Sequence, residues 1–397
     1  MKKENEERHM NRVENQSIVS NKARNISLCV VFVVLIFGLF IATLLKKETK
    51  FSSSENRVLQ TKPDFSVEAL FDGSYTADYE KYITDQFVMR DRWISLKVYA
   101  EKALLKKEIN GVYFGENGYL IQQHSAGDVN QTLVDLNLNR LDQFVNAYKD
   151  RLQVNVLIAP TASSVLKDKV PKYADEYDQD KLLNQIQSVV GADHFINVSD
   201  TLKEHKDEYI YYRTDHHWTS LGAYYAYVKW AEAVGEQPYT SEDFNIEPVT
   251  DEFLGTTYSK VNIKVEPDTI HLYNLKKPME YFVTLNKDSN TTLDGLYDLS
   301  KLEEKDKYPV FLGGNNAYVD IKTSVKNGKT LLVIKDSYAH TFVPMLANHY
   351  ERIIMLDYRY FNGSTKAVIE EEGVTDALVM YNTMNFVEDK NFIKVLK

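Results

Sequence analysis

The chain has 397 residues, enough to bury one large core or two smaller ones. Its formal net charge of −10 argues against nucleic acid as a partner, because phosphate binding needs a basic face. A single cysteine, Cys29, excludes an intrachain disulfide and leaves the rest of the chain without thiol chemistry.

Residues 1–25 are polar, with Lys2, Lys3, Arg8, Arg12, Lys22 and Arg24 set against Glu4, Glu6, Glu7 and Glu14, and read as a disordered cytoplasmic tail. Residues 26–45 are almost wholly apolar and end at Lys46-Lys47. About 20 such residues span a bilayer. No small-x-small cleavage site follows, a core helix would not be apolar all round, and Cys29 has no lipobox-like context. The run therefore reads as one uncleaved transmembrane anchor. Basic residues flank both of its ends, so the positive-inside rule does not by itself orient it.

A polar linker is expected over 46–63, followed by a helical and hairpin region over 64–132 that packs on the main domain. Residues 78–87 and 94–106 carry helical periodicity, and 111–121 read as a hairpin turning at Glu116-Asn117-Gly118. From 133 to the end, helix and strand alternate. Helices are expected over 134–151 and 181–190, with buried strands at 154–160 and 195–198 and an aromatic strand at 209–213. A further helix opens at Thr219 or Ser220 and carries Leu221, Tyr224, Tyr225, Val228 and Ala231 at helical spacing. Residues 235–327 break this rhythm with short β-like runs at 269–272 and 281–284, and read as a large insertion lying over the sheet. A β-α-β-α-β run then closes the chain: strands 330–334, 352–356 and 377–381, with helices 339–350 (bent at Pro344) and 364–371. Such alternation with short links predicts an α/β fold with a parallel sheet covered by helices.

Two places could carry chemistry. In Thr214-Asp215-His216-His217-Trp218-Thr219-Ser220 an acid stands two residues before a histidine, able to accept the imidazole hydrogen bond and fix its tautomer. In Lys335-Asp336-Ser337-Tyr338 a serine sits on a tight turn between a buried strand and a helix, with its N–H near a helix N-terminus. Both would meet at the carboxyl edge of the sheet if strands 209–213 and 330–334 run parallel. The candidate triad is Ser337 as nucleophile, His217 as base and Asp215 as orienting acid. Other readings of the same residues stand beside it. Asp-Ser after a strand is a common helix cap, and Asp215, His216 and His217 resemble metal ligands, although no other His, Cys or acidic cluster completes a set. No metal and no cofactor is expected.

Taken together, Ser54-Glu55-Asn56-Arg57, Tyr82-Ile83-Thr84-Asp85-Gln86-Phe87 with Arg90-Asp91, Asn110-Gly111-Val112-Tyr113-Phe114-Gly115, Thr214-Asp215-His216-His217-Trp218-Thr219, Phe253-Leu254-Gly255-Thr256, Gly313-Gly314-Asn315-Asn316 and Lys335-Asp336-Ser337-Tyr338-Ala339 resemble the membrane-anchored DHHW proteins of Gram-positive bacteria. Those are related to the alginate O-acetyltransferase proteins of the Ser-Gly-Asn-His (SGNH) hydrolase-like class, in circularly permuted order. The resemblance implies a three-layer α/β sandwich, an N-terminus in the cytoplasm and the bulk of the chain outside the cell membrane. Asp215 and His217 match the Asp-x-His pair, Ser337 the nucleophile and Asn382 the oxyanion asparagine, while His216 takes the variable middle position. Lys335 stands where the class has the glycine of Gly-Asp-Ser, and Gly363 is the nearest candidate for its oxyanion glycine block. Arg359 follows a strand and is a candidate for substrate binding or for a salt bridge. The implied activity is O-acetyl transfer to, or acetyl-ester hydrolysis on, a cell-envelope or secreted polysaccharide, with a multi-pass membrane acyltransferase as acetyl donor. The alternative is a catalytically inactive polysaccharide-binding or assembly protein on the same scaffold.

Overall fold

A computed structural model describes residues 2–52, 57–286 and 291–397, with side chains from residue 21 onward. The motif residues Ser54, Glu55 and Asn56 lie outside the described residues. Contacts divide the chain into two units, one of residues up to 94 and one of Ser95–Lys397. Residues 95–132 fall in the second unit.

In the first unit, α1 (Lys2–Leu45) contains a segment, Asn21–Leu45, long and apolar enough to cross a membrane, and none of that segment is buried. The helix continues through the polar stretch expected to be disordered, whose Glu, Lys and Arg residues are good helix formers. β1 (Phe51–Ser52) pairs antiparallel with β2 (Arg57–Val58). α2 (Val67–Phe71), capped by Ser66, leads to α3 (Ser74–Gln86), and α4 (Arg90–Ala103) carries the chain into the second unit. The stretch read as a polar linker makes hydrogen bonds to the end of α3. Gln86 exchanges hydrogen bonds with the Thr49 backbone (2.9 Å each way), and Asp85 accepts from Arg57 and from the Gln60 N–H. Both side chains are buried, so the cost of desolvating them is offset only while these bonds are made.

The second unit opens with an antiparallel meander, β3 (Glu108–Ile109), β4 (Val112–Phe114) and β5 (Leu120–Gln122). The expected hairpin turn is present, with Asn117 and Gly118 at φ 56° and 79°. α5 (Gln131–Tyr148), β6 (Gln153–Ala159), α6 (Ala162–Val165), α7 (Gln179–Val190), α8 (Ser199–Glu204) and α9 (Ser220–Val234) follow. Next come β7 (Phe244–Phe253), α10 (Thr256–Val261), β8 (Asp268–Leu275), β9 (Tyr281–Leu285), β10 (Thr291–Asp294) and β11 (Tyr318–Thr323). β12 (Thr330–Lys335), α11 (Ala339–Leu346), β13 (Arg352–Leu356), α12 (Thr365–Glu371), β14 (Asp376–Asn382) and α13 (Thr383–Glu388) complete the unit.

The central sheet has the order β10-β9-β11-β13-β12-β14-β6. β13, β12, β14 and β6 are parallel, whereas β10, β9 and β11 join antiparallel, so the sheet is mixed and not wholly parallel. The insertion therefore does more than cover the sheet: among the described residues β9, β10 and β11 extend it, and the β7–β8 ribbon stands outside. Alternation sorts the two faces. Leu331 and Val333 pack with Trp218, Trp230 and Phe342, while Leu332 and Ile334 pack with Leu141, Phe144 and Ile186. Helices on both faces explain why β12, β13 and β14 read as continuous apolar runs.

Two expected strands are not sheet strands. Residues 195–198 contribute one bridge, Val156 to Phe195, and 209–213 one antiparallel bridge, Tyr211 to Trp218. The second departure matters for the site, because the Asp-His-His segment is the turn of a tight loop and not the end of a parallel strand.

Candidate active site

The serine turn is held from below. Asp336 accepts from the Tyr338 N–H, the Asn382 N–H and the Asn382 side-chain amide (2.8 Å each), and from Asn385 (2.9 Å). Burial raises the pKa of this carboxyl, and the Asn382 N–H, Asn385, the charge of Arg359 and the Tyr338 N–H work against that rise. The turn between β12 and α11 is thereby stitched to the end of β14, and Ser337 is left 6% exposed beside it. Among the described residues no acceptor takes the Ser337 N–H.

The histidine loop is shaped by Asp268 of β8, which accepts from the Arg213 N–H (2.9 Å), the Thr214 N–H (2.7 Å), the Thr214 hydroxyl (2.6 Å) and the Tyr209 hydroxyl (2.5 Å). Three further bonds bring this loop onto the serine turn. Trp218 Nε1 donates to Thr341 Oγ1 and to the Tyr338 carbonyl, and the Tyr338 hydroxyl donates to the His216 carbonyl.

Asp215, His217 and Ser337 meet in line. Asp215 Oδ1 accepts from the His217 N–H (3.0 Å) and from His217 Nδ1 (2.5 Å), and His217 Nε2 lies 2.7 Å from Ser337 Oγ. Asp215 Oδ2 accepts from Thr256 twice, from its N–H (2.7 Å) and its hydroxyl (2.8 Å). Burial works to raise the Asp215 pKa, but the neighbouring imidazoles and the bonds from His217 and Thr256 outweigh it and hold the carboxyl well below the usual carboxylate range. Gly255 makes the close approach feasible: a Cβ there would sit 2.3 Å from the Asp215 Cβ.

The His217 ring is buried between aromatic neighbours. Tyr308 stacks on it at 3.8 Å between centroids, and the His216 ring lies tilted against it at 3.9 Å. The Tyr308 hydroxyl donates to the Ser337 carbonyl (3.0 Å). The Thr256 hydroxyl gives its proton to Asp215, so it accepts from His216 Nδ1 at 2.5 Å. Desolvation, and then the neighbouring His217, push the pKa of His216 down to about 3.

Asp215, His216 and His217 place their ligand atoms within 4.8 Å of one another. Nδ1 of His217 is bonded to Asp215 and Nδ1 of His216 to Thr256. A cation here would have to displace these bonds, and among the described residues no further His, Cys or acidic group joins the three.

Three other expected site residues lie away from this line. The side chain of Asn382 donates to Asp336 and accepts from the N–H groups of Met384 and Asn385. It caps α13 and anchors the turn. Arg359 forms a two-pronged ion pair with Asp357, which also takes the buried Lys335, and reaches Asn315. With Asp336, Tyr381 and Asn385 it lines a pocket of about 250 Å³. Gly363 lines a different pocket, with Tyr318 and Phe361. Conversely, Thr256, Asp268 and Tyr308 carry much of the geometry, and only Thr256 fell in a motif that the sequence singled out.

The family described as DHHW protein matches residues 119–356. A DHHW family protein from Eubacterium siraeum matches with TM-score 0.61 and 26% identity, over 73% of this chain and 96% of its own. Bacillus cereus PatB1, in a structure bearing a sulfonyl adduct, matches with TM-score 0.62 and 20% identity, over 73% of this chain and all of its own (100%). The O-acetyltransferase domain of Pseudomonas putida AlgJ matches at TM-score 0.43 and 14% identity, over 70% of this chain and 93% of its own, too distantly to bear on the argument. No curated protein counts as a match. The family match covers more than half of the chain and includes the whole histidine loop: the protein belongs to the DHHW family.

Proposed function

We propose that this protein is an acyl-ester enzyme, an O-acetyltransferase or acetylesterase, held at the outer face of the cell membrane by α1. The observation that carries this reading is the unbroken line from Asp215 through His217 to Ser337 Oγ. In it, Ser337 Oγ attacks an acetyl ester carbonyl while His217 Nε2 takes the hydroxyl proton, and Asp215 holds the imidazolium that results. In this reading the Ser337 N–H donates to the developing oxyanion. As the tetrahedral intermediate collapses, the bond to the donor's oxygen breaks and His217 returns its proton to that oxygen, leaving acetyl-Ser337. A sugar hydroxyl or a water then attacks the ester, His217 again taking the proton, and the serine is regenerated. The enclosed site, with Ser337 and His217 at 6% and 4% exposure, suits an acyl group as small as acetyl.

The acceptor in this proposal is a cell-envelope or secreted polysaccharide, and the donor a multi-pass acyltransferase in the same membrane, both drawn from the resemblance to the alginate O-acetyltransferase proteins. Cleavage of p-nitrophenyl acetate by the purified chain, compared with Ser337→Ala, tests the acyl-ester chemistry. Equal release of p-nitrophenol by the two proteins would leave the scaffold a binding module.

A further inference from the structure

α2 is an apolar helix that buries none of its residues. Phe71 is 87% exposed, and Phe65, Val67 and Leu70 beside it are exposed as well. α3 continues this surface. Tyr75, Tyr79, Tyr82 and Ile83 fall on one helical face, with Glu80, Lys81 and Thr84 on the other. Phe65, Tyr75, Tyr79 and Tyr82 form a ladder of rings with centroids 5.2–5.8 Å apart. An apolar and aromatic surface of this kind on a short, thinly packed unit marks a contact face.

The first unit itself indicates what covers it. The end of α3 is tied to the end of α1: the Val88 N–H donates to Thr43 Oγ1, and Gln86 binds the Thr49 backbone. Ile36, Phe40 and Leu44 of α1 and Tyr82, Ile83 and Phe87 line one apolar groove of about 390 Å³. From Ile36 to Leu45 the helix rises about 14 Å, close to the depth of one hydrocarbon leaflet. If α1 crosses a bilayer, Ile83 and Phe87 therefore lie at leaflet depth, because they flank residues that do. The aromatic ladder then falls in the headgroup zone, where tyrosine and tryptophan collect, and the exposed Lys47 and Lys50 are available to anionic headgroups.

We propose that α2 and the aromatic face of α3 lie in the outer interface of the membrane that α1 crosses, as an amphipathic collar bound to lipid. This rests on the anchoring reading of α1, and not on the chemistry proposed for Ser337. The collar would hold the chain at a fixed depth instead of letting it swing on a free linker.

The test uses the full-length protein in vesicles of phosphatidylcholine and phosphatidylglycerol with brominated acyl chains, read by an environment-sensitive nitrobenzoxadiazole label on one cysteine at a time. The native Cys29 in α1 reports the anchor. Cys29→Ser combined with Phe71→Cys or with Ile83→Cys reports the collar, and with Tyr173→Cys, 90% exposed in the second unit, reports water. The proposal expects blue-shifted, quenched labels at 29, 71 and 83, and an unquenched one at 173. A quenched label at 29 with water-like labels at 71 and 83 overturns it and leaves a protein partner as the occupant of this face. A water-like label at 29 overturns the anchoring reading, and the collar with it.

Discussion

Tyr308 lies flat on His217, its ring 9° from parallel and its hydroxyl on the carbonyl of Ser337. One residue from the insertion thus touches both the imidazole and the serine. The electron-rich ring face favours a positive charge above it, by about 2 kcal/mol where water is excluded. Tyr308→Leu should lower kcat/KM for p-nitrophenyl acetate by about 10-fold or more on that energy scale. Tyr308→Phe keeps the stack and should retain most of the activity. Equal losses in the two variants would assign the effect to the hydroxyl and not to the ring.

Thr256 supplies both donors to the outer oxygen of Asp215. Thr256→Val removes one of them and should cost about 10-fold in kcat/KM, on the scale of a hydrogen bond to a charged group. Asp215→Asn should cost about 10⁴-fold, because an amide stabilises the wrong tautomer of His217. Gly255→Ala pushes a methyl into Asp215 and should cost about 10²-fold through misplacement of the carboxylate. Steady-state kinetics on the three variants checks this order.

Asn382 separates two roles. Its side chain holds Asp336 and caps α13, so Asn382→Ala should destabilise the fold by about 1–3 kcal/mol, the usual cost of leaving a buried partner unpaired. Chemical denaturation measures it. Unchanged stability with a large fall in kcat would return the residue to the oxyanion.

Stability should also fall with acidity. Desolvation, and then the charge of Lys335, hold the pKa of the buried His340 well below its ordinary value, and His216 is pushed down to about 3. The unfolded chain takes up these protons near pH 6.5 and the folded chain only at lower pH, so folding loses free energy as pH drops below about 6.5. The melting temperature should decline from there toward pH 5, and His216→Asn should flatten the slope. A profile level between pH 7 and 5 would show that both rings charge freely in the folded state.

The sequence made the parallel core readable because β12, β13 and β14 are buried on both faces and read as unbroken apolar runs with short links. The antiparallel half was harder to see. β11 (Tyr-Val-Asp-Ile-Lys-Thr) carries Asp320 and Lys322 among its buried residues and sits amid turn residues, so nothing local marked it as a member of the same sheet. Residues 209–213 carry the aromatic, β-branched character of a strand, yet Asp268 gathers them into a loop, an effect of a residue more than 50 positions away. The proposed triad was visible because chemistry concentrates unusual residues: Asp-His-His-Trp on one loop and a serine on one turn. What surrounds it was not. Tyr308 is one of 27 tyrosines, and only the fold picks it out.

Acetylation of Ser337 itself tests the central claim most directly. The full-length protein is incubated with p-nitrophenyl acetate, quenched in acid and mapped by peptide mass spectrometry. The account predicts an acetyl group on Ser337, sharply reduced in His217→Ala and absent from Ser337→Ala. Acetyl groups scattered over surface lysines, with Ser337 unmodified and p-nitrophenol still released, would contradict it.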